Sequence, residues 1–327
     1  MVGTPHPASG HPLPAGEGSS EAFEKLVLVT RKTRLTELIE RFNTRAQARF
    51  YLEHAGLDFD DYQAEDDEYR RSLEVLERGL QLGLPVQVLD RALVPTYLFS
   101  RTDLVVALGQ DGLVANTAKY IGAQPLIGVN PDPKRFDGIL LPFLPADARR
   151  AAMAVLERRS RFREVTLAEA KLSDGQRLLA FNDFYVGART HVSARYRLDA
   201  GNGWERQSSS GVIVSTGAGS TGWLSSVCQM ASGVAKLLGG TTGPALKLKW
   251  EDPRLVFVVR EPFVSRHSSA AFTAGMVERG AALKLESLMP SGGVLFSDGM
   301  EDDYLAFNSG VVAELRAAPQ RARLAVG

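Results

Sequence analysis

Apolar positions follow two rhythms along this chain of 327 residues. Up to about residue 145, short unbroken apolar runs alternate with stretches of helical spacing. Lys25 to Thr30 (KLVLVT), Pro85 to Leu89 (PVQVL), Leu104 to Leu108 and Pro125 to Val129 (PLIGV) each read as a buried strand, because a strand covered on both faces has no polar alternation. Leu35 to Phe42, Glu68 to Leu82 and Asp111 to Ile121 read as helices. In the second of these, Leu73, Leu76 and Leu80 share one face and charges cover the rest. Asp58 to Glu68 is acidic and reads as solvated. Strands alternating with helices predict a parallel sheet with helices on both faces.

The rhythm changes after Pro145. A basic helix is predicted from Asp147 to Arg161, followed by many short strand-like runs. These are Arg163 to Ala168, Arg177 to Phe181, Val192 to Leu198, Gly211 to Ser215, Leu255 to Val259 and Ala282 to Leu288, separated by Gly, Asp and Ser turns. Such spacing predicts an all-β domain, interrupted by one helix after Gly222 that runs to about Leu238. The expected organisation is a disordered tail over 1–22, an α/β domain over 23–145, a β-rich domain over 146–295 and a C-terminal segment over 296–327.

Bulk numbers narrow the classes. Lys+Arg and Asp+Glu are both 38, so a chain built to coat nucleic acid is disfavoured. The single cysteine, Cys228, allows no intramolecular disulfide and fits a reducing compartment. No uninterrupted apolar stretch is long enough to span a membrane. Met1 to Ser20 lacks both the apolar centre of a secretory signal and the arginines of a transit peptide, so a cytoplasmic location is expected. None of the five histidines stands at metal-ligand spacing, which argues against a metal cage built by the protein.

Two glycine-rich segments carry the candidate chemistry. The first runs from Leu104 through Gly109-Gln110-Asp111-Gly112; the second is Gly211-Val212-Ile213-Val214-Ser215-Thr216-Gly217-Ala218-Gly219-Ser220-Thr221-Gly222-Trp223. A buried strand opening into a loop with free backbone N–H groups is one way a fold presents phosphate and ribose sites. Asp111 adds a carboxylate at a strand end, where ligands bind in open α/β sheets; it serves either as a base or as the holder of its own turn. Gly109 and Gly112 would admit a close phosphate and allow positive φ. A hydrolase reading lacks support, since the second segment has no G-x-S-x-G elbow.

The ordered set of motifs resembles the NAD kinase family, nearest to its mitochondrial-type branch and bacterial relatives. The family's Gly-Gly-Asp-Gly turn stands here as Gly109-Gln110-Asp111-Gly112, its Asn-Glu pair as Asn182-Asp183, and its Thr-Gly-Ser-Thr loop as Thr216 to Trp223. Ile127-Gly128-Val129-Asn130-Pro131-Asp132-Pro133, Trp204 to Gly211, Arg260-Glu261-Pro262-Phe263 and Ser297-Asp298-Gly299 extend the match. The resemblance implies a Rossmann-like N-terminal domain, a β-sandwich-like second domain, and a C-terminal return to the first domain for which Leu305 to Phe307 and Val311 to Leu315 are candidates. It also implies ATP-dependent phosphorylation of NAD at the adenosine 2′-hydroxyl, with magnesium carried by ATP, polyphosphate as an alternative donor, and a homodimer or homotetramer. Asp111 is then the catalytic base, placed with Asn182 and Thr216 in a cleft between domains.

Under that resemblance, Asn182 and Asp183 bind NAD. Ser215, Thr216, Gly217, Gly219, Ser220, Thr221 and Gly222 form a loop on the dinucleotide. Trp223 packs either on the nucleotide or in the core. Asn130 could touch the site; Lys134 and Arg135 meet ATP phosphates or are simply solvated; the Arg260 to His267 stretch could lend a basic group. Three features depart from the family pattern: Gln110 for glycine, Asp183 for glutamate, and Ser208-Ser209-Ser210 where many members carry an aspartate. They leave open a non-catalytic nucleotide sensor. A kinase acting on a lipid or sugar hydroxyl is the other alternative.

Overall fold

The computed structural model describes residues 22–243 and 246–327, so nearly all of the expected tail lies outside the described residues. The chain forms two compact units, 22–163 with 323–327, and 164–322.

The first unit is built as β1 (Lys25–Thr30), α1 (Arg34–Phe42), α2 (Arg45–His54), α3 (Phe59–Gly79), β2 (Val86–Asp90), β3 (Asp103–Leu108), α4 (Asp111–Tyr120), β4 (Pro125–Val129) and α5 (Ala148–Leu156). The four strands pair in parallel in the order β2-β1-β3-β4. All six residues of β3 are buried, as its unbroken apolar run predicts. Leu26, Leu28, Leu104, Val106 and Ile127 pack with Leu76 and Leu80 from the α3 region and with Ala148 and Ala152 of α5. Thr33 starts α1 by accepting the Thr36 N–H, and Asn43 ends it at a φ of 66°.

One element departs from expectation. The acidic stretch lies only partly in solvent: Asp58, Asp60 and Asp67 are exposed, but α3 starts at Phe59, capped by the Asp58 side chain, and carries Glu65 and Asp66 at 3% and 4% exposure. Burial is tolerated because both carboxylates are satisfied. Glu65 accepts from Arg31 at 2.9 Å and from Arg34, and Asp66 accepts from the Thr33 hydroxyl and from Arg70 at 2.8 Å. The basic helix is also shorter than predicted: α5 stops at Leu156, and Arg158 turns the chain at a φ of 59°.

The second unit contains β5 (Arg161–Leu172, from its fourth residue on), β6 (Arg177–Ala180), β7 (Asp183–Ala188), β8 (Ala194–Asp199), β9 (Trp204–Ser209), β10 (Val212–Ser215), α6 (Trp223–Leu237), β11 (Leu255–Val259), β12 (Ala274–Val277), β13 (Leu283–Ser287), β14 (Gly293–Ser297), β15 (Leu305–Ala306) and most of β16 (Val312–Val326). One antiparallel sheet runs β12-β11-β10-β7-β14-β15. On its inner face Phe184, Val186, Val214 and Phe257 meet Tyr196, Leu198, Leu285 and Leu315 from β8, β13 and β16, the packing of a sandwich.

The predicted return is also placed differently. Leu305-Ala306 pairs with β14, and the start of β16 pairs with β13 through Leu315↔Leu283. Pairing with β4 comes only at Arg323 and Leu324. Among the described residues no helix is long and apolar enough to cross a membrane.

Candidate functional site

In the first unit the candidate chemistry sits where β3 ends. Gly109 leaves the strand, Gln110 is the N-cap, and Asp111 opens the ten-residue α4, so its carboxylate stands in the first turn, at the positive end of the helix dipole. The Leu140 N–H donates to Asp111 Oδ1 at 2.6 Å, which fixes the carboxylate and leaves Oδ2 for another partner. The segment after β4 lies against that strand because residue 128 is glycine: a Cβ there would overlap the Leu140 carbonyl oxygen. Neither Gly109 nor Gly112 takes a positive φ, contrary to expectation. Gly109 instead makes room, since a Cβ would crowd Leu113 and approach the Arg31 side chain.

Arg31 was not singled out in the sequence, although it follows the carboxyl end of β1, where such sheets place ligand groups. Its guanidinium donates to Glu65 and to the Lys32 carbonyl, and its buried Nε has no partner. The guanidinium lies 5.3 Å from the Tyr69 ring centre and 5.6 Å from that of Phe136. The Tyr69 hydroxyl, pushed up to about 12 by burial, accepts from the Arg31 N–H and donates to the Leu108 carbonyl. Burial would raise Glu65, yet the bonds from Arg31 and Arg34 outweigh it and hold that carboxyl below its ordinary range.

Two other candidates are tied into the fold. Asn130 is buried, and both ends of its amide close its own loop: Nδ2 donates to the Phe136 carbonyl and Oδ1 accepts the Asp132 N–H. Arg135 is paired with Asp61 at 2.7 Å and lies near Asp132. Lys134 donates only its backbone N–H, to Asp132.

In the second unit the Asn182-Asp183 turn enters β7. Asp298, held at a φ of 54°, grips it: its carboxylate accepts the N–H groups of Phe181, Asn182 and Asp183 at 2.9, 2.6 and 3.2 Å. Sequence comparison had marked Ser297-Asp298-Gly299 without a role. From the other side Thr216 donates its hydroxyl to the Phe181 carbonyl at 2.6 Å and its N–H to the Asn182 carbonyl at 2.8 Å. Gly219 completes the clasp, since a Cβ there would overlap the Asn182 carbonyl oxygen. The turn's backbone is thus tied on both sides, while among the described residues neither the Asn182 amide nor the Asp183 carboxyl has a hydrogen-bond partner.

Asp183 is 6% exposed. Burial, reinforced by the nearby Asp298 charge, pushes its carboxyl up to about 7. A buried acid that no donor satisfies is a group awaiting one, such as a ligand hydroxyl.

The hydroxyls of the glycine loop mostly serve the loop. Ser215 donates to the Thr216 carbonyl and Ser220 to the Gly217 carbonyl at 2.7 Å; Ser220 also accepts the Leu248 N–H. Thr221 and Gly222 are exposed. Trp223 is half-buried and stacks on Tyr185 at 5.9 Å and 14°, with the Arg260 guanidinium 5.6 Å from its ring centre. In the Ser208 to Ser210 run, Ser209 is bonded to the Tyr196 hydroxyl at 2.7 Å, a packing role.

No family model matches the chain. Mitochondrial NAD kinase 2 of rat is 25% identical over 259 residues, covering 58% of this chain and 60% of the relative, and that of Homo sapiens is 25% identical over 58% of each. The chain thus matches about three fifths of those relatives. The Xenopus tropicalis protein of the same name is 24% identical over 357 residues, 82% of this chain and 84% of its own. Among solved structures, yeast NADH kinase complexed with NADH superposes with a TM-score of 0.55 at 15% identity, over 94% of this chain and 84% of that one. An Archaeoglobus fulgidus NAD kinase in complex with ATP gives 0.53 at 16%, over 92% of each. The two solved structures share the fold of this chain, which here comprises one α/β unit and one antiparallel β unit. The fold is that of the NAD kinases, and the chain's sequence relatives are NAD kinases.

Proposed function

We propose that this protein is an NAD kinase, which moves the terminal phosphoryl group of ATP to the adenosine 2′-hydroxyl of NAD and yields NADP and ADP. The observation that carries the reading is the unpartnered, buried Asp183 carboxyl beside the unpartnered Asn182 amide, on a turn whose backbone is tied down by Asp298 and Thr216. Those are a hydrogen-bond acceptor and an amide of the kind that ribose hydroxyls and adenine require. In the other unit, Asp111 Oδ2 draws the proton from the 2′-hydroxyl as its oxygen attacks the γ-phosphorus and the bond to the β-phosphate oxygen breaks. The α4 N-terminus and Arg31 suit the phosphate charge. Phosphoryl transfer rests mostly on positioning and electrostatics, so one oriented carboxylate suffices as base.

Among the described residues no cluster of three metal-ligating side chains occurs. Donor phosphates and water therefore suit magnesium as its main ligands, where it would offset phosphate charge. The same reading takes polyphosphate as an alternative donor and the enzyme as a cytoplasmic homodimer or homotetramer, checked by light scattering and cell fractionation.

The test is NADP formation from NAD, magnesium and ATP, read by a NADP-specific dehydrogenase. Asp111→Asn should lower kcat by about a hundredfold to ten-thousandfold, the usual contribution of a general base, while NAD affinity stays within a few fold. Binding of NAD without turnover, under ATP and polyphosphate alike, would move the assignment to a nucleotide sensor. Absence of NAD binding would point to another hydroxyl substrate.

A further inference from the structure

The second unit contains a cavity of about 410 Å³ that none of the residues assigned above lines. Its wall brings together Arg279 from the turn after β12, Arg316 and Arg321 from β16, Thr166 from β5, and the prolines Pro253 and Pro319. Arg279 is exposed and makes no ion pair or hydrogen bond among the described residues. Arg316 donates to Glu169 at 2.8 Å, but that carboxylate also serves Arg177, and Arg321 reaches Glu164 only at 3.4 Å. Three guanidinium groups therefore meet at one concavity, and Arg279 is the one of them without a carboxylate partner among the described residues.

A second observation points to a ligand. Thr166 lies in the same wall at 2% exposure, and its buried hydroxyl has no partner. A polar atom left unpaired at that depth costs free energy unless something bonds to it. The backbone around it is already committed, since the Thr166 N–H donates to the Trp250 carbonyl at 2.9 Å. One unpaired guanidinium fork with two more beside it, proline walls and a spare hydroxyl donor match the oxygens of a tetrahedral dianion better than a carboxylate or an apolar molecule.

We propose that this cavity binds a small phosphate-bearing anion, either inorganic or the phosphate group of a mononucleotide. The proposal does not depend on the kinase reading, because it rests on residues with no part in that site.

The test uses two probes on the full chain, inorganic pyrophosphate and AMP, titrated calorimetrically in 0.15 M chloride, where distant charges are screened. Arg279→Glu gives up no contact, so folding is expected to survive; Arg279→Ala serves if it does not. Lys236→Glu, exposed on α6 and absent from the cavity wall, makes the same change in net charge. At least one probe should bind the wild type about tenfold or more tightly than Arg279→Glu, the value of one charge-assisted contact, and bind Lys236→Glu within about twofold of the wild type. Preference for pyrophosphate would mark an inorganic ligand, and preference for AMP a nucleotide one. Equal binding to wild type and Arg279→Glu, or no binding by either probe at millimolar concentration, would overturn the proposal.

Discussion

Glu65 in the first unit and Asp183 in the second are buried to a similar depth, 3% and 6% exposed, yet they titrate in opposite directions. Glu65 is met by Arg31 and Arg34 and falls below the ordinary carboxylate range; Asp183 meets no donor, faces the Asp298 charge, and rises to about 7. Glu169, buried beside Arg177 and Arg316, repeats the first pattern. Burial alone therefore does not define an acid's role. The groups that face it decide whether it braces the fold or is held ready for a ligand.

The largest test of that contrast is Asp183→Asn. The carboxyl's folded value lies about three units above its ordinary one, so the folded state keeps a proton that the unfolded chain releases between about pH 4 and pH 7. Stability due to this group is full below pH 4, declines as pH rises through that window, and is flat above 7. The asparagine variant should consequently gain stability over wild type as pH rises, reaching at most about 4 kcal/mol by pH 8. Urea unfolding of both proteins at pH 4.0 and pH 8.0, set at about those values to bracket the window, reads the difference. The same variant should lose NAD affinity, and a variant that is both less stable and equally able to bind would erase the distinction drawn here.

Glu65→Gln should act the other way. It strands Arg31 in a buried position and weakens Arg34, so a loss of about 3 kcal/mol is expected, with part of Arg34 relieved by its exposure. A midpoint unchanged in urea would mean that the two arginines do not need this partner. Gly219→Ala comes next. Its methyl group would overlap the Asn182 carbonyl oxygen, and about 2 kcal/mol of destabilisation is expected, together with weaker NAD binding on the proposed reading, since the loop must shift off the Asn182-Asp183 turn. The smallest effect belongs to Thr166→Val. Removing an unpartnered buried hydroxyl should leave stability unchanged or raise it by up to about 1 kcal/mol, in contrast to losing a satisfied partner, and thermal unfolding without added anion decides it.

Local pattern carried much of the fold. The apolar run of β1 and that of β4 appear with the predicted bounds, and β3 and α4 differ from theirs by one residue. The short strands β9, β12 and β14 carry weaker signals: WERQSS alternates only partly, and AGMV is too brief to stand out. The Asp111 turn stands out in sequence because glycines and a carboxylate follow an apolar run, whereas the Asn182-Asp183 pair is marked only by the family resemblance. The loop-closing bonds of the Asn130 amide leave no sequence signal, because an amide that closes its own loop looks the same in sequence as one offered to a ligand.

By itself, the sequence determined which stretches are apolar enough to be buried and where the chain must turn, since both depend on neighbours within a few residues. Tertiary structure alone decided which polar groups are spent and which are free. Arg31 finds Glu65 34 residues away, and Asp298 reaches Phe181 across 117 residues. Hydrogen-bond partners at such separations leave no periodicity to read. For that reason the burial of Glu65 and Asp66 within the acidic stretch of α3 has no sequence signal, and the brace under the Asn182-Asp183 turn exists only where β14 lies beside β7.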